Sequence, residues 1–347
     1  MEVVSEAKEF PRRRLIYGAL FLLLLIFPFK AGPYWTDVAT FFGIYVLLGL
    51  SLNIIVGEVG LFNMGHAAFY ALGAYTTGIL NTVWGIPTVW LLPVSGIVAG
   101  GFGYLLTRPI IHLRGDYLLI VTIGLNEILR ITLINDPWGL TGGPNGVLGI
   151  KRMRLGSLVI SRPIHFYFLV LIITTLVVMA LLRLQRSRIG RAWNYIREDE
   201  VAAEAMGIDV RSMKLLAFVL GAGLAGIAGS IYATKMMIIS PESFTFWESI
   251  VLFTIVVLGG MGSIPGVIVG SAVMMILPKL LRDFMQYRML FFGAAMVVMM
   301  VFRPQGLWPS KRWQLEMGRE TEVKGIGTTP LASNRRSQSI WRTPCGK

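Results

Sequence analysis

The apolar residues of this chain fall in unbroken blocks, not in amphipathic stripes. Ten blocks stand out, at about 15–31, 38–56, 61–81, 87–107, 116–134, 164–183, 213–236, 247–261, 264–281 and 285–302. Most are roughly 17 to 22 residues long, enough to cross about 30 Å of hydrocarbon at about 1.5 Å per residue. The polar faces that the helices of a large soluble core would carry are missing. The pattern predicts an all-α polytopic membrane protein with about ten transmembrane helices. The count falls to eight or nine if the break "GGMGSIPG" at 259–266 is re-entrant and not a full turn.

The polar connections set an orientation. Cytoplasmic loops carry an excess of Lys and Arg. The connection 108–115 holds Arg108, His112 and Arg114, and 184–212 holds Arg186, Arg188, Arg191, Arg197 and Arg211. The segment after the last block begins with Arg303, Lys311 and Arg312. All three fall on one side if residues 1–14, with Arg12, Arg13 and Arg14, lie in the cytoplasm. The chain then reads as a basic cytoplasmic N-terminus, a transmembrane domain at 15–307 and a cytoplasmic tail at 308–347. That tail is polar, basic and rich in Ser, Thr and Gly, a composition expected to be disordered. The connection 135–163 dissents: it is expected outside, yet holds Lys151, Arg152, Arg154 and Arg162. The first block resembles a signal peptide, but Phe29 stands where cleavage wants a small residue, so an uncleaved helix is expected.

Composition agrees with the pattern. Hydrophobic residues make up 54% of the 347 and charged ones only 15%, against about 25% in soluble domains. The net charge of +13 would suggest nucleic acid in a soluble protein. Here the basic residues sit in loops and at the ends, where orientation and anionic lipid account for them. The single cysteine, Cys345, has no partner for an internal disulfide. No GxxxxGK[ST] phosphate loop, HExxH or Cys/His cluster occurs, and His66, His112 and His165 show no ligand spacing. Enzymatic chemistry, a metal and a resident cofactor are therefore not expected.

One polar stretch, "GRAWNYIREDEVAAEAMGIDV" at 190–210, interrupts the apolar chain. Ile189, Ala192, Trp193 and Ile196 follow the spacing of one helix face. Asp199 is placed to cap a second, alanine-rich helix at 200–206, Gly207 to end it and Asp209 to cap the next span. Ala202, Ala203 and Ala205 would let that short helix lie close against another surface. A surface connector and a docking element account for this pattern equally well.

Together, "SRIGRAWNYIREDEVAAEAMGIDVRSMKLLAFVLGAGLAGIAGSIYA", "GLFNMGHAAFYALGAYTTG", "LRGDYLLIVTIGLNEILR", "TGGPNGVLGI" and "VLGGMGSIPGVIVGSA" resemble the branched-chain amino acid permease family of ABC importers, the LivH/LivM type, and its LivM branch most. The motifs span about residues 40 to 305. The resemblance implies a permease subunit that moves leucine, isoleucine and valine inward across a bacterial inner membrane. It also implies a second permease, a LivH-like paralogue, two cytoplasmic ATPases that use ATP and Mg, and an extracytoplasmic binding protein. It makes 184–212 the coupling loop, with Arg197, Glu198, Glu200, Ala202, Ala203, Glu204 and Gly207 facing the ATPase. The general importer pattern of Glu-Ala-Ala, three residues and Gly is met here by Val201-Ala202-Ala203 and Gly207, so Val201 replaces the usual acid. Glu200 or Glu204 would have to substitute for it.

Polar groups inside spans face protein or water and mark candidate paths. Asn63 and His66 begin the third block after a glycine-rich break, and Thr122, Asn126 and Glu127 lie in the fifth. Thr122 and Asn126 share a helix face, and Glu127 is turned about 100° from it. Each is a candidate substrate contact, set against the simpler role of an interhelical hydrogen bond. Small residues at helical spacing, including Ala67, Ala71, Ala74 and Gly78, and Ala222, Gly226, Ala225, Gly229 and Ala233, predict close helix packing. "TGGPNGV" is either a docking lip for a binding protein or a tight turn. Two other functions stay open: the same machine with urea, short amides or other amino acids as cargo, and an ion-coupled secondary transporter using Glu127.

Overall fold

The computed structural model describes residues 24–113, 115–155, 158–160, 162–280, 293–294, 297 and 306–308. Most of the first expected span, nearly all of the tenth, the N-terminal basic segment and the tail past Trp308 lie outside the described residues. The other eight spans are present as helices.

Helix α1 (Gly32–Asn53) widens into a π-type turn at Ile54–Glu58. It is followed by α2 (His66–Thr82), α3 (Thr88–Thr107), α4 (Asp116–Asn135) and α5 (Pro163–Arg186). Two short polar helices, α6 (Arg188–Glu198) and α7 (Glu200–Ala205), precede α8 (Val210–Met236), α9 (Phe246–Gly259) and α10 (Ile264–Leu280). Six helical segments among the described residues are long and apolar enough to cross a membrane. The protein is therefore an all-α polytopic membrane protein.

The sequence pattern misplaces two starts. The block at 38–56 is helical already from Gly32. The block at 61–81 is helical only from His66, because residues 61–65 run as irregular backbone. Leu61 is buried, so its hydrophobicity reflects burial by neighbouring helices and not a helical period. At 259–266 the chain makes a tight turn between α9 and α10.

Helices α1 and α8 form the centre. The most apolar window of the first span, α1 with its π turn, is 72% buried and that of α8 56%, against 22% for α4 and for α5. Small residues allow α8 to sit this deep. Ala222, Ala225, Ala228 and Ala233 are fully buried. A side chain at Gly226 would strike Ala99 and the backbone of Ser95 on α3, and one at Gly73 would strike the backbone of Gly226. The expected stripes on α2 and α8 thus pack helix against helix at backbone distance, where contact area and dispersion hold a membrane bundle together.

The connections gather at two opposite ends. At one, Arg197 of α6 reaches the carbonyl of Gly57 and lies beside Gly262, and Trp308 donates its backbone N–H to Gly259. At the other, the backbone N–H of Lys151 donates to Asn81, and strand β1 (Val147–Leu148) pairs antiparallel with β4 (Ile238–Ile239). A hairpin of β2 (Arg154–Leu155) and β3 (Leu158–Val159) completes the connection 135–163. Its basic residues therefore lie across the bundle from the α6–α7 module.

Candidate functional site

Irregular backbone inside a membrane bundle is tolerated only where its polar groups are satisfied by protein. The break between α1 and α2 meets this demand with one side chain of its own and two from other helices. Met64 N–H donates to Thr122 Oγ1 of α4 at 3.2 Å, Gly65 N–H to Asn63 Oδ1 at 2.9 Å, and Ala67 N–H to Ser249 Oγ of α9 at 3.0 Å. The orphan N–H groups that open α2 are thereby occupied.

His66 is fully buried at this start. Ser51 Oγ gives its one hydrogen to the Leu48 carbonyl at 2.6 Å, so it accepts from His66 Nε2 at 2.7 Å. That places the ring hydrogen on Nε2 and leaves Nδ1 to accept from Asn63 Nδ2 at 3.5 Å. Asn63 and His66, two of the candidate path residues, are thus committed to holding the break.

Helix α4 buries one face, made of Leu118, Thr122, Asn126 and Leu133. Thr122 is 4% and Asn126 1% exposed, as their four-residue spacing predicts. Both side-chain atoms of Asn126 lack a hydrogen-bond partner among the described residues. Glu127, expected deep in its span, is 41% exposed and pairs with Arg130 at 2.6 Å. Arg130 also reaches Glu242 at 3.0 Å, at the end away from the α6–α7 module. The i,i+3 spacing of Glu127 and Arg130 was the signal for this pairing.

The polar module folds as its local grammar predicts. Asp199 accepts from Val201 N–H at 2.8 Å and Ala202 N–H at 3.1 Å, capping α7. Gly207 takes φ +82°, a left-handed value that suits glycine, and ends it. Asp209 caps α8 through Ser212 N–H at 3.1 Å and its hydroxyl at 2.6 Å, and these bonds hold the Asp209 carboxyl below its usual range. Trp193 is buried on the inner face of α6, its indole N–H on the Met213 carbonyl at 2.8 Å.

The seven coupling candidates divide by direction. Ala203 is fully buried, Glu200 pairs with the buried Lys214 at 2.5 Å, and Arg197 donates to the Gly57 carbonyl. These three brace the module against the bundle. Glu198, Ala202, Glu204 and Gly207 face outward, beside Val201 (65% exposed) and Met206 (61% exposed). Sequence reasoning missed the receiving residues. Asn53 Oδ1 accepts from Gly262 N–H at 2.9 Å, and Gln185 donates to Glu58 at 2.5 Å. A lone Asn before a Gly-containing π turn was the only local hint.

An open cleft of about 290 Å³ lies where the module meets the bundle, lined by residues 60–62, by Gly115 and Leu118 at the start of α4, and by residues 199–201. At the opposite end the "TGGPNGV" motif is a tight turn. Thr141 is buried, Asp136 accepts its backbone N–H at 2.8 Å, and Gly146 lies against the backbone of Ile239.

Comparison with known proteins places this architecture. The family described as "Branched-chain amino acid transport system / permease component" matches residues 34–300. The chain is 41% identical to the high-affinity branched-chain amino acid transport system permease protein LivM of Escherichia coli (strain K12), over 88% of this chain and 77% of that protein. It is 30% identical to BraD, a permease protein of the same kind from Pseudomonas aeruginosa, over 76% of this chain and 91% of that protein. To the LivH permease protein of Escherichia coli (strain K12) it is 27% identical, over 76% and 90%. No solved structure matches it. With a matching profile over most of its length and a relative above 40% identity, this chain belongs to the branched-chain amino acid transport permease family.

Proposed function

We propose that this chain is one of two membrane subunits of an ATP-driven importer that moves leucine, isoleucine and valine inward across a bacterial inner membrane. A LivH-like paralogue supplies the second subunit, two cytoplasmic ATPases bind and hydrolyse ATP with Mg, and an extracytoplasmic protein delivers the amino acid. In this reading the end bearing α6 and α7 is cytoplasmic, as are both termini, and ten helices cross the bilayer. The chain performs no covalent chemistry.

The observation that carries the reading is the two-sided α6–α7 module. Its inner side is fixed to the bundle by Trp193, Arg197 and Lys214. Its outer side presents Val201, Ala202, Glu204, Met206 and Gly207. An exposed apolar patch of small residues rimmed by charge suits docking in a groove of a partner. A free surface connector has no need of the rigid inner side. Substrate would pass beside α4, where Thr122 and Asn126 lie.

The test is uptake by cells stripped of their own leucine importers and supplied with this chain, its paralogue, the ATPases and the binding protein. Leucine uptake competed by isoleucine and valine supports the assignment. Uptake of urea or a short amide in its place moves the cargo and keeps the machine. Uptake that persists without the ATPases overturns it.

A further inference from the structure

The buried face of α4 rises from the cleft. Leu118 lines the cleft, Thr122 lies one turn above it, and Asn126 another turn above that, about 12 Å from Leu118 along the axis. At the middle level the Met64–Thr122 hydrogen bond ties α4 to the broken segment 60–65, whose own residues 60–62 form the cleft's opposite wall. The cleft's 290 Å³ is near the lower end of the range of about 300–1,000 Å³ for small-molecule sites.

Asn126 is the unexplained group on this face. A buried amide with neither atom paired is destabilising by about 1–3 kcal/mol, and an apolar residue of the same shape would avoid the loss. Its neighbours in the candidate path do not share this condition. Asn63, His66 and Thr122 are hydrogen-bonded, and Glu127 is paired on another face. An intramembrane polar group without a structural partner is a candidate for a transient one.

We propose that the cleft and the α4 face above it form the inner end of the substrate path, with Met64–Thr122 as its closed latch and the Asn126 amide as a binding step for the zwitterionic head of an α-amino acid. This rests on the permease reading and adds the site and its chemistry. An amide offers both complements on one planar group: Nδ2 donates to a carboxylate and Oδ1 accepts from an ammonium. Being neutral, it holds the zwitterion without a charge–charge attraction that would slow release. Opening the latch breaks the neutral Met64–Thr122 hydrogen bond and parts Gly65 from the Thr122 backbone it packs against.

Two measurements on the assembled complex test this. Asn126→Leu keeps the branched shape at Cγ, with larger methyl groups, and removes the orphan amide, so the complex still assembles. Leucine uptake by this variant falls at least tenfold while ATP hydrolysis continues. Wild-type uptake by Asn126→Leu overturns the proposal. In a Cys345→Ser background, a charged thiol reagent on the α6–α7 side labels Phe62→Cys, exposed in the cleft wall, with or without ATP. It labels Asn126→Cys only during turnover. Asn126→Cys that is never labelled, or is labelled equally with and without ATP, overturns the path. If leucine is not the cargo, wild-type leucine uptake is absent while the ATP dependence of labelling remains. That pattern separates failure of the parent reading from failure of the path.

Discussion

The guanidinium of Arg197, the penultimate residue of α6, donates to the carbonyl of Gly57 in the π turn that ends α1. The same side chain packs over Gly60 and lies 3.1 Å from the position a Cβ would take on Gly262. Because Asn53 of α1 also accepts from Gly262 N–H, one cation and one amide join the polar module, the first span and the α9–α10 turn. A wide turn with altered hydrogen bonding is a natural place for a helix end to shift. Movement of α6 therefore has a direct mechanical route to α1.

Arg197→Ala should leave the complex assembled and hydrolysing ATP, yet lower leucine moved per ATP by about tenfold, the loss of a charge-assisted bond of about 1.5–3 kcal/mol. Arg197→Lys keeps the charge but loses the fork of donors, and recovers only part of the ratio. A ratio unchanged in Arg197→Ala would remove this residue from the relay.

The outward face of α7 should tolerate shortening but not a cation. Val201→Arg places a bulky positive charge in the apolar patch, opposite in sign to the acid of the general pattern, and should abolish ATPase co-purification without lowering the Tm of the isolated chain. Asp199→Ala acts differently, because the N-cap contributes about 1 kcal/mol. Hydrogen exchange at the Val201 and Ala202 amides should quicken several-fold while the rest of the bundle is unaffected.

Packing at the centre leaves no room for side chains. Gly73→Val forces a branched side chain against the backbone of Gly226, which cannot retreat as a flexible side chain would. Overpacking of this kind is destabilising by about 1–3 kcal/mol or more. The variant should lose several degrees of Tm in detergent, whereas Gly101→Ala, which meets open space, should not.

The turn at 136–142 should be sensitive to acid. The backbone N–H of Thr141, followed by its hydroxyl and neighbouring amides, holds the Asp136 carboxyl below its ordinary value. Its stabilisation is therefore complete above the unfolded pKa of about 3.9 and is lost as pH falls through the lowered folded value. Amide exchange at Thr141 and Gly142 should show that loss, and Asp136→Asn should largely remove the pH dependence.

What was legible in the sequence was local. Asp199, Gly207 and Asp209 identify their caps by residue type and spacing alone, and Thr122 with Asn126 reveals a buried face through the helical period. Small-residue stripes on α2 and α8 are read the same way. What escaped depends on distant chain. Leu61 looked helical because hydrophobicity records burial and not conformation. The side-chain direction of Arg197 is set by a carbonyl 140 residues earlier, and Gly146 folds against Ile239 through a pairing with no local signature. Glu127 looked like a deep acid because its sequence position does not reveal that Arg130, which also reaches the distant Glu242, pairs with it on a partly exposed face.

The most direct measurement is uptake of radiolabelled leucine into proteoliposomes containing this chain, its paralogue and the ATPases. ATP is supplied on the ATPase side and binding protein on the other. The account predicts uptake that requires both ATP and the binding protein and fails in Val201→Arg. Uptake by this chain alone, driven by a proton or sodium gradient, would contradict it.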